Sequence, residues 1–234
     1  MDGFDRAADL WVWVVRLPPL VFAITVHEVA HGWIAKNLGD PTASNAGRLT
    51  LNPIKHIDLF GTIILPIVLF LLAGFPFGWA KPVPVDFKQL RSPRRDLILV
   101  AAAGPASNIV MAAGWTLIMV GARLYLPIWG EVNLLIDDMA RFGIFINLVL
   151  AVFNMIPIPP LDGGRVLVGL LPSEMARYVS FVEPFGILIV LGALLVDFYT
   201  QVEIFWPLVV QPVFDLMDVF LSVGNYLLML LGAS

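Results

Sequence analysis

The sequence predicts an all-α polytopic membrane protein with about five spanning helices and one short or re-entrant apolar segment. The chain of 234 residues is 59% hydrophobic and only 14% charged, with a mean hydropathy of +0.87. A soluble domain is typically about 45–50% apolar and about a quarter charged. Several apolar runs approach the ~20 residues that a helix needs to cross a bilayer, and they lack the alternation of β-barrel strands. Cysteine is absent, which excludes disulfides and thiolate metal sites.

Five segments are long and apolar enough to be predicted as spans, and a sixth is interrupted. The predicted spans are residues 10–36, 97–122, 140–157, 179–197 and 204–231. The sixth run, residues 59–75, is shorter, contains Gly61, Pro66 and Gly74, and is closed by Pro76. No linker is long enough to separate domains, so we expect one domain over residues 1–234. Its core would cover about residues 10–170, followed by a C-terminal helix pair at about 179–231.

The first span contains ionisable side chains, which are costly in hydrocarbon and therefore indicate a functional site. His27, Glu28 and His31 lie inside the apolar stretch of residues 17–34. Positions i and i+4 share one face of a helix, so both imidazoles can reach the same ion. Glu28 lies beside that ion, where a carboxylate can take a proton from water on the metal. This pattern predicts a zinc hydrolase that works inside a membrane.

A catalytic zinc usually has three protein ligands, so one more is needed. The chain contains three histidines, which makes His56 one candidate. Asp162 is the other, because it follows helix-breaking prolines at positions 157, 159 and 160 and is expected at membrane depth, where a carboxylate needs a cation. The residues alone leave both candidates open.

The distribution of cationic residues favours a re-entrant segment at residues 59–75. Short cytoplasmic loops carry the excess of Lys and Arg. A full span at 59–75 divides the cations of the loops eight against five. A re-entrant segment divides them ten against three, with one side holding Lys36, Arg48, Lys55, Lys81, Lys88, Arg91, Arg94, Arg95, Arg165 and Arg177. The second arrangement puts the ends of spans 10–36 and 140–157 on the same side, which lets Asp162 meet His31. It also predicts an active site toward the cytosolic side.

Three motifs together resemble the site-2 protease family of intramembrane zinc metalloproteases. They are His27-Glu28-Val29-Ala30-His31, Gly104-Pro105-Ala106-Ser107-Asn108, and the run from Asn154 through Pro157, Pro159 and Leu161 to Asp162-Gly163. Further matches at residues 47–48, 52–58 and 78–85 suggest the small prokaryotic subgroup without PDZ or CBS domains. The resemblance covers roughly residues 20–170. It implies one Zn²⁺ per chain with Asp162 as its third ligand, and it leaves His56 as a loop residue of uncertain role.

Other polar residues have two interpretations each. Asn154 is either a polar clasp between helices or an amide donor to the developing oxyanion, and the resemblance favours the donor. Asn108 is expected to clasp its helix to the catalytic pair. The stretch containing Gly78, Lys81 and Pro82 is either a plain loop or a small extended edge on which an unwound substrate strand adds.

The expected activity is hydrolysis of a peptide bond in or next to a transmembrane segment of a membrane-protein substrate. The expected location is the cell membrane, with the lipid bilayer as surroundings. No basic block suggests nucleic acid as a partner. The alternative is a membrane transporter or channel that uses a buried His/Glu/Asp cluster for protons or metal ions. Substrate identity and oligomeric state are open.

Overall fold

The computed structural model describes residues 6–73, 78–125, 131–200 and 202–232, and these residues are helical or irregular. Nine α-helices and four short 3₁₀- or π-helical segments occur in these ranges. The α-helices are α1 (Arg6–Asn37), α2 (Thr42–Asn45), α3 (Leu65–Ala73), α4 (Pro93–Leu124), α5 (Glu131–Asn154), α6 (Asp162–Leu170), α7 (Ser173–Phe181), α8 (Gly186–Thr200) and α9 (Gln211–Leu230). The short segments are 3₁₀ turns at Pro53–His56 and Glu183–Phe185 and π-helical turns at Leu59–Ile64 and Trp206–Val210. No strand occurs in the described ranges, so the predicted extended edge at residues 78–85 is not confirmed.

Three helical stretches are long and apolar enough to cross a membrane. They are Pro93–Leu124, Ser173–Thr200 and Trp206–Leu230. The first two contain the predicted spans 97–122 and 179–197, and the third lies within the predicted span 204–231. Helix α1 covers the predicted span 10–36, and α5 covers residues 140–154 of the predicted span 140–157, but neither belongs to this set. The all-helical membrane fold is therefore confirmed, whereas the count of five spans stays a prediction.

Local signals explain where the central helices begin and end. α1 ends two residues before Gly39, whose φ of +114° is a conformation that glycine adopts without strain. α4 begins at Pro93, a favoured first helical residue, and the Asp96 carboxylate accepts a hydrogen bond from Ser92 N at 2.8 Å. α5 ends at Asn154, just before Pro157.

α4 lies at the centre of the bundle and packs against α1, α5, α6 and α9. Its buried Met119 belongs to a core cluster with Ile144 and Leu148 of α5 and Val213 of α9. Lipid tails are as apolar as leucine, so helices in a membrane associate through close packing rather than through the hydrophobic effect. Gly143 shows such packing, because a Cβ there would lie 2.4 Å from the ring of Trp115.

The chain leaves the bundle at the end of α1 and returns to the same place at the start of α4. Arg91 N donates to Leu38 O at 3.1 Å. The buried Asp40 carboxylate holds the two limbs of this excursion together, since it accepts hydrogen bonds from Thr42 N at 2.9 Å and from Asp86 N at 2.8 Å. Residues 59–73 lie within this excursion, whose two ends meet at the end of α1.

Residues 59–73, which we call the apolar flap, are only loosely attached to the bundle. Asp58 caps the flap by accepting a hydrogen bond from Gly61 N at 2.7 Å. Beyond that turn the side chains are largely exposed, with Leu71 and Leu72 at 75% and 73%. The described contacts of the flap with the rest of the chain lie near Gly61 and Pro66, which face Gly78 and Trp79.

Candidate metal centre

The structure brings together the three predicted ligands from two distant parts of the chain. His27 and His31 lie one turn apart on α1, and Asp162 is the first residue of α6. His27 Nε2 and His31 Nε2 are 3.1 Å apart. Asp162 Oδ2 lies 3.2 Å from the first nitrogen and 3.3 Å from the second. All three residues belong to the single group of potential metal ligands found among the described residues.

Hydrogen bonds to the other ring nitrogens aim both imidazoles at this point. His27 Nδ1 donates to Asn108 Oδ1 at 2.5 Å, and His31 Nδ1 donates to Val100 O at 2.7 Å. An amide or carbonyl oxygen accepts only, so each Nδ1 carries the hydrogen and each neutral Nε2 keeps its lone pair. This is the usual arrangement around a metal-binding histidine, whose second nitrogen is held by an acceptor.

The arrangement fits a zinc ion. A tetrahedral zinc with bonds of about 2.0–2.1 Å separates its ligand atoms by roughly 3.3–3.4 Å, close to the three distances observed here. Asp162 Oδ2 is buried and has no hydrogen-bond donor. A buried carboxylate oxygen facing two lone pairs requires a cation. His27, His31 and Asp162 would hold it, and a fourth position would stay available for water or substrate.

A chain of buried amides supports His27. Asn108 Nδ2 donates to Asn147 Oδ1 at 2.9 Å, and Asn147 Nδ2 donates to Gly143 O at 2.8 Å. Both asparagines are fully buried. These bonds fix the orientation of the Asn108 amide and leave its oxygen for the imidazole. The clasp predicted for Asn108 is thus, in the structure, a direct hydrogen bond to His27, one of the three candidate ligands.

Asn147 is a functional candidate that the sequence analysis missed. Its signal was a lone amide in the apolar run of residues 142–153, where a polar side chain needs a partner. The partner lies 39 residues away on α4, and its identity depends on how α4 and α5 pack.

Gly104 allows α4 to approach the metal ligands. A Cβ at this position would lie 2.4 Å from His31 Nε2 and 2.6 Å from His27 Nε2. Any side chain here would occupy the space between the two imidazoles. The glycine of the Gly104-Pro105 pair is therefore a requirement of the site.

Asp162 is positioned by a proline-rich turn packed tightly against the start of α6. A Cβ at Gly163 would lie 2.2 Å from Met155 O, and one at Gly164 would lie 2.1 Å from Pro159 N. The Pro159–Pro160 peptide bond is cis. The glycine pair after Asp162 thus lets α6 begin directly on this turn, which places the carboxylate beside the histidines.

Glu28 lies on the same helix and is held by a backbone amide. Val83 N donates to Glu28 Oε2 at 2.8 Å. Gly32, one turn further along α1, has no room for a Cβ because the side chains of Leu49 and Val83 would lie 2.6 Å and 2.8 Å away. The loop that contains Val83 therefore packs directly on the helix that carries the site.

The remaining predicted residues lie outside the ligand cluster. Asn154 is the last residue of α5, and its amide donates to Leu150 O at 2.9 Å. His56 is buried, and its Nε2 donates to Thr50 O at 2.9 Å. Lys81 and Pro82 contribute backbone carbonyls to Arg48 Nη2 at 2.9 Å and 3.4 Å. The role of Asn154 as a donor stays a prediction, and the hydrogen bond of His56 is that of a loop residue.

Comparisons with known proteins agree with this chemistry. The model of peptidase family M50 matches residues 130–194. The Bacillus subtilis protein named "Putative zinc metalloprotease YwhC" is 38% identical over 192 residues, which are 81% of this chain and 83% of that protein. "Putative zinc metalloprotease Rip2" of Mycolicibacterium smegmatis is 28% identical over 195 residues, covering 83% of this chain and 71% of the relative. "Putative zinc metalloprotease MJ0611" of Methanocaldococcus jannaschii is 29% identical over 163 residues, 68% and 72% of the two chains. No solved structure matches the chain.

Proposed function

Because the chain belongs to the site-2 protease family, peptidase family M50, and is a membrane zinc metalloprotease, we propose that it hydrolyses a peptide bond in or next to a transmembrane segment of another membrane protein. The observation that carries this proposal is the cluster of His27, His31 and Asp162 beside Glu28, in a bundle of apolar helices. Because the chain belongs to a protease family, we do not retain the alternative of a transporter or channel.

The described side chains divide the work of peptide hydrolysis. When bound, zinc acts as a Lewis acid toward the scissile carbonyl and lowers the pKa of water toward ~7. His27, His31 and Asp162 hold the ion. Glu28 accepts the proton of the attacking water and delivers it to the leaving amine. Asn154 is proposed to donate its amide to the carbonyl oxygen, which requires the amide to exchange its bond to Leu150 O for one to substrate.

The proposed substrate reaches the site as an unwound segment. The backbone of an intact helix is hydrogen-bonded internally, so its carbonyls are not available to a metal ion. The loosely attached apolar flap lies in the excursion that starts at the end of α1, and we propose that it admits the substrate. Local unwinding near the flap would then expose one peptide bond to the ligand cluster.

We further propose a multi-pass orientation with the site toward the cytosol. The hydrogen bond between Arg91 N and Leu38 O supports a flap that returns to the side it left. In that arrangement the ten loop cations assigned to one side surround the zinc-binding end of the bundle, which fits the excess of Lys and Arg in cytoplasmic loops.

The test compares wild type with Glu28→Gln in vesicles that also contain a panel of single-span reporter proteins. We expect the wild type to cleave at least one reporter within or beside its span. Glu28→Gln should bind as much zinc as the wild type but cleave no reporter, because the ligands remain while the base is lost. Glu174→Gln, on the exposed first turn of α7, is the matched control and should cleave normally. Cleavage retained in Glu28→Gln would refute the assignment of the base, and zinc binding without any cleavage by the wild type would refute the activity.

A further inference from the structure

Residues 79–83, which we call the strap, contain a backbone N–H group that donates a hydrogen bond to Glu28, the proposed base. Val83 N donates to Glu28 Oε2 at 2.8 Å, and the Val83 side chain is buried against α1. A carboxylate that accepts a bond from a fixed amide loses rotational freedom and directs its second oxygen in one direction. Glu28 can act as a base only if that oxygen faces the attacking water.

We propose that the backbone amide of Val83 is the positioning group for Glu28 and that the strap couples this amide to the apolar flap. The proposal rests on the proposed function, because it assigns Glu28 the role of base. It adds a group that sequence motifs do not reveal, since any residue except proline supplies a backbone N–H.

The backbone N–H groups of alternate strap residues donate hydrogen bonds to three different segments of the chain. Trp79 N donates to Gly61 O at 3.0 Å, and Lys81 N donates to His56 O at 2.9 Å. Val83 N completes the series on Glu28. In an extended chain, successive residues point their backbone groups to opposite edges, so residues 79, 81 and 83 share one edge. That edge joins the flap, the 3₁₀ turn and the proposed base.

The opposite edge of the strap is poorly suited to pair with another strand. Pro82 and its neighbour Pro84 fall on it and have no N–H to donate. Pro82 O also accepts a bond from the Arg48 guanidinium, which binds Lys81 O as well. The strap is therefore better suited to hold parts of the site together than to serve as the strand-addition edge that its sequence suggested.

At residues 78 and 79 the chain packs closely against the start of the flap. A Cβ at Gly61 would lie 2.3 Å from the indole Nε1 of Trp79, and a Cβ at Gly78 would lie 2.2 Å from Gly61 O. Thr62 Oγ1 also donates to Trp79 O at 2.9 Å. Displacement of the flap by a substrate would thus pull on residue 79, four residues from the amide that holds Glu28.

Hydrogen bonds hold the chain in place just after Val83. A displacement of the flap would therefore move the Val83 amide relative to Glu28 instead of shifting the whole segment. Asp86 N is bound to the buried Asp40 carboxylate. The Asp86 carboxylate accepts bonds from Gln89 Nε2 and Lys88 N, and these donors hold the pKa of Asp86 below its usual value. The segment that follows the strap is therefore tied to the end of α1.

The first test replaces Val83 by proline, which removes the N–H. Val83→Pro should lower kcat on a cleaved reporter by about 10–100-fold, while KM and the zinc content stay near the wild-type values. Val85→Pro is the matched control, because the described residues give Val85 N no hydrogen-bond partner, and it should cleave as the wild type does. A normal kcat for Val83→Pro with normal zinc content would overturn the positioning role.

The second test disturbs the flap end without touching Val83. Gly61→Ala places a methyl group against the Trp79 ring and should also lower kcat by about tenfold or more, with zinc retained. Gly121→Ala, on α4, meets no atom within 4 Å and is the control. A normal kcat for Gly61→Ala would overturn the coupling. If the wild type cleaves and both variants behave normally, the inference alone fails; if the wild type cleaves nothing, the proposed function fails with it.

Discussion

Substitution of Gly104 by alanine should impair zinc binding through steric conflict alone. The added methyl group would lie 2.4 Å from His31 Nε2 and 2.6 Å from His27 Nε2. An ordinary van der Waals contact of a Cβ begins near 3.4 Å, so the imidazoles or α4 must move by roughly 1 Å in total. Metal–ligand distances are maintained within about ±0.2 Å. The required displacement is several times larger than this tolerance.

The expected loss follows from comparison with milder changes. Removing a hydrogen-bond partner of a metal ligand typically weakens metal binding by about 10–100-fold. Gly104→Ala displaces both histidine ligands, so we expect at least that loss, or about 1.4–2.7 kcal/mol of binding free energy. The fold should survive, because alanine is favoured over glycine within a helix by roughly 0.5–1 kcal/mol.

The assay measures zinc retained by detergent-purified protein across a series of chelator concentrations. Gly114→Ala is the matched control, since it makes the same change in α4 at a position with nothing within 4 Å. The control should bind zinc as the wild type does. If Gly104→Ala retains zinc at the same chelator concentrations as Gly114→Ala, the positions assigned to the two Nε2 atoms are wrong.

Further variants test the other parts of the centre. Asn108→Ala should weaken zinc binding by about 10–100-fold, and Asn147→Ala by less, because Asn147 acts on His27 only through Asn108; equal zinc affinities in all three proteins would contradict this support. Asp162→Asn should lose most bound zinc while His56→Ala keeps it, which elemental analysis of the purified proteins would show, and the reverse result would make His56 the third ligand. Gly186→Ala places a Cβ against the carbonyl of the proline turn and should lower thermal stability by about 2 kcal/mol or more, as scanning unfolding in detergent would reveal.

The grouping of His27, His31 and Asp162 was predictable because its signals are local. His27 and His31 are one turn apart, so any helix brings them to the same face. Asp162 follows a run of prolines that ends a helix, and its capacity to meet His31 followed from the charge distribution in the loops. The zinc cofactor and the protease family are confirmed by the comparisons with known proteins.

The supporting contacts were not predictable, because they depend on packing between distant segments. Asn147 reaches Asn108 across 39 residues, and Val83 N reaches Glu28 across 55 residues. Gly104 resembles any other small residue in a membrane helix until its distance to the imidazoles is known. The extended edge at residues 78–85 was inferred from alternating valines and prolines, whereas the described segment bonds to turns and to a side chain rather than to a strand.

Helices α1 and α5, which fall outside the apolar set, carry charged and other polar side chains. α1 holds Glu28 and the two candidate histidine ligands. α5 carries Asp137 and Asp138, and each finds a cation on another helix: Arg123 Nε lies 2.7 Å from Asp137, and Arg16 lies 3.5 Å from Asp138.

Paired charges cost far less than unpaired charges facing lipid, so the charges on α1 and α5 do not by themselves argue against a span. The same principle explains the site. His27, His31 and Asp162, set in the packed interface of α1, α4 and α6, bring three potential ligand atoms to one point that fits a cation. The polar side chains that make α1 a weak span by composition are therefore the ones proposed to bind zinc.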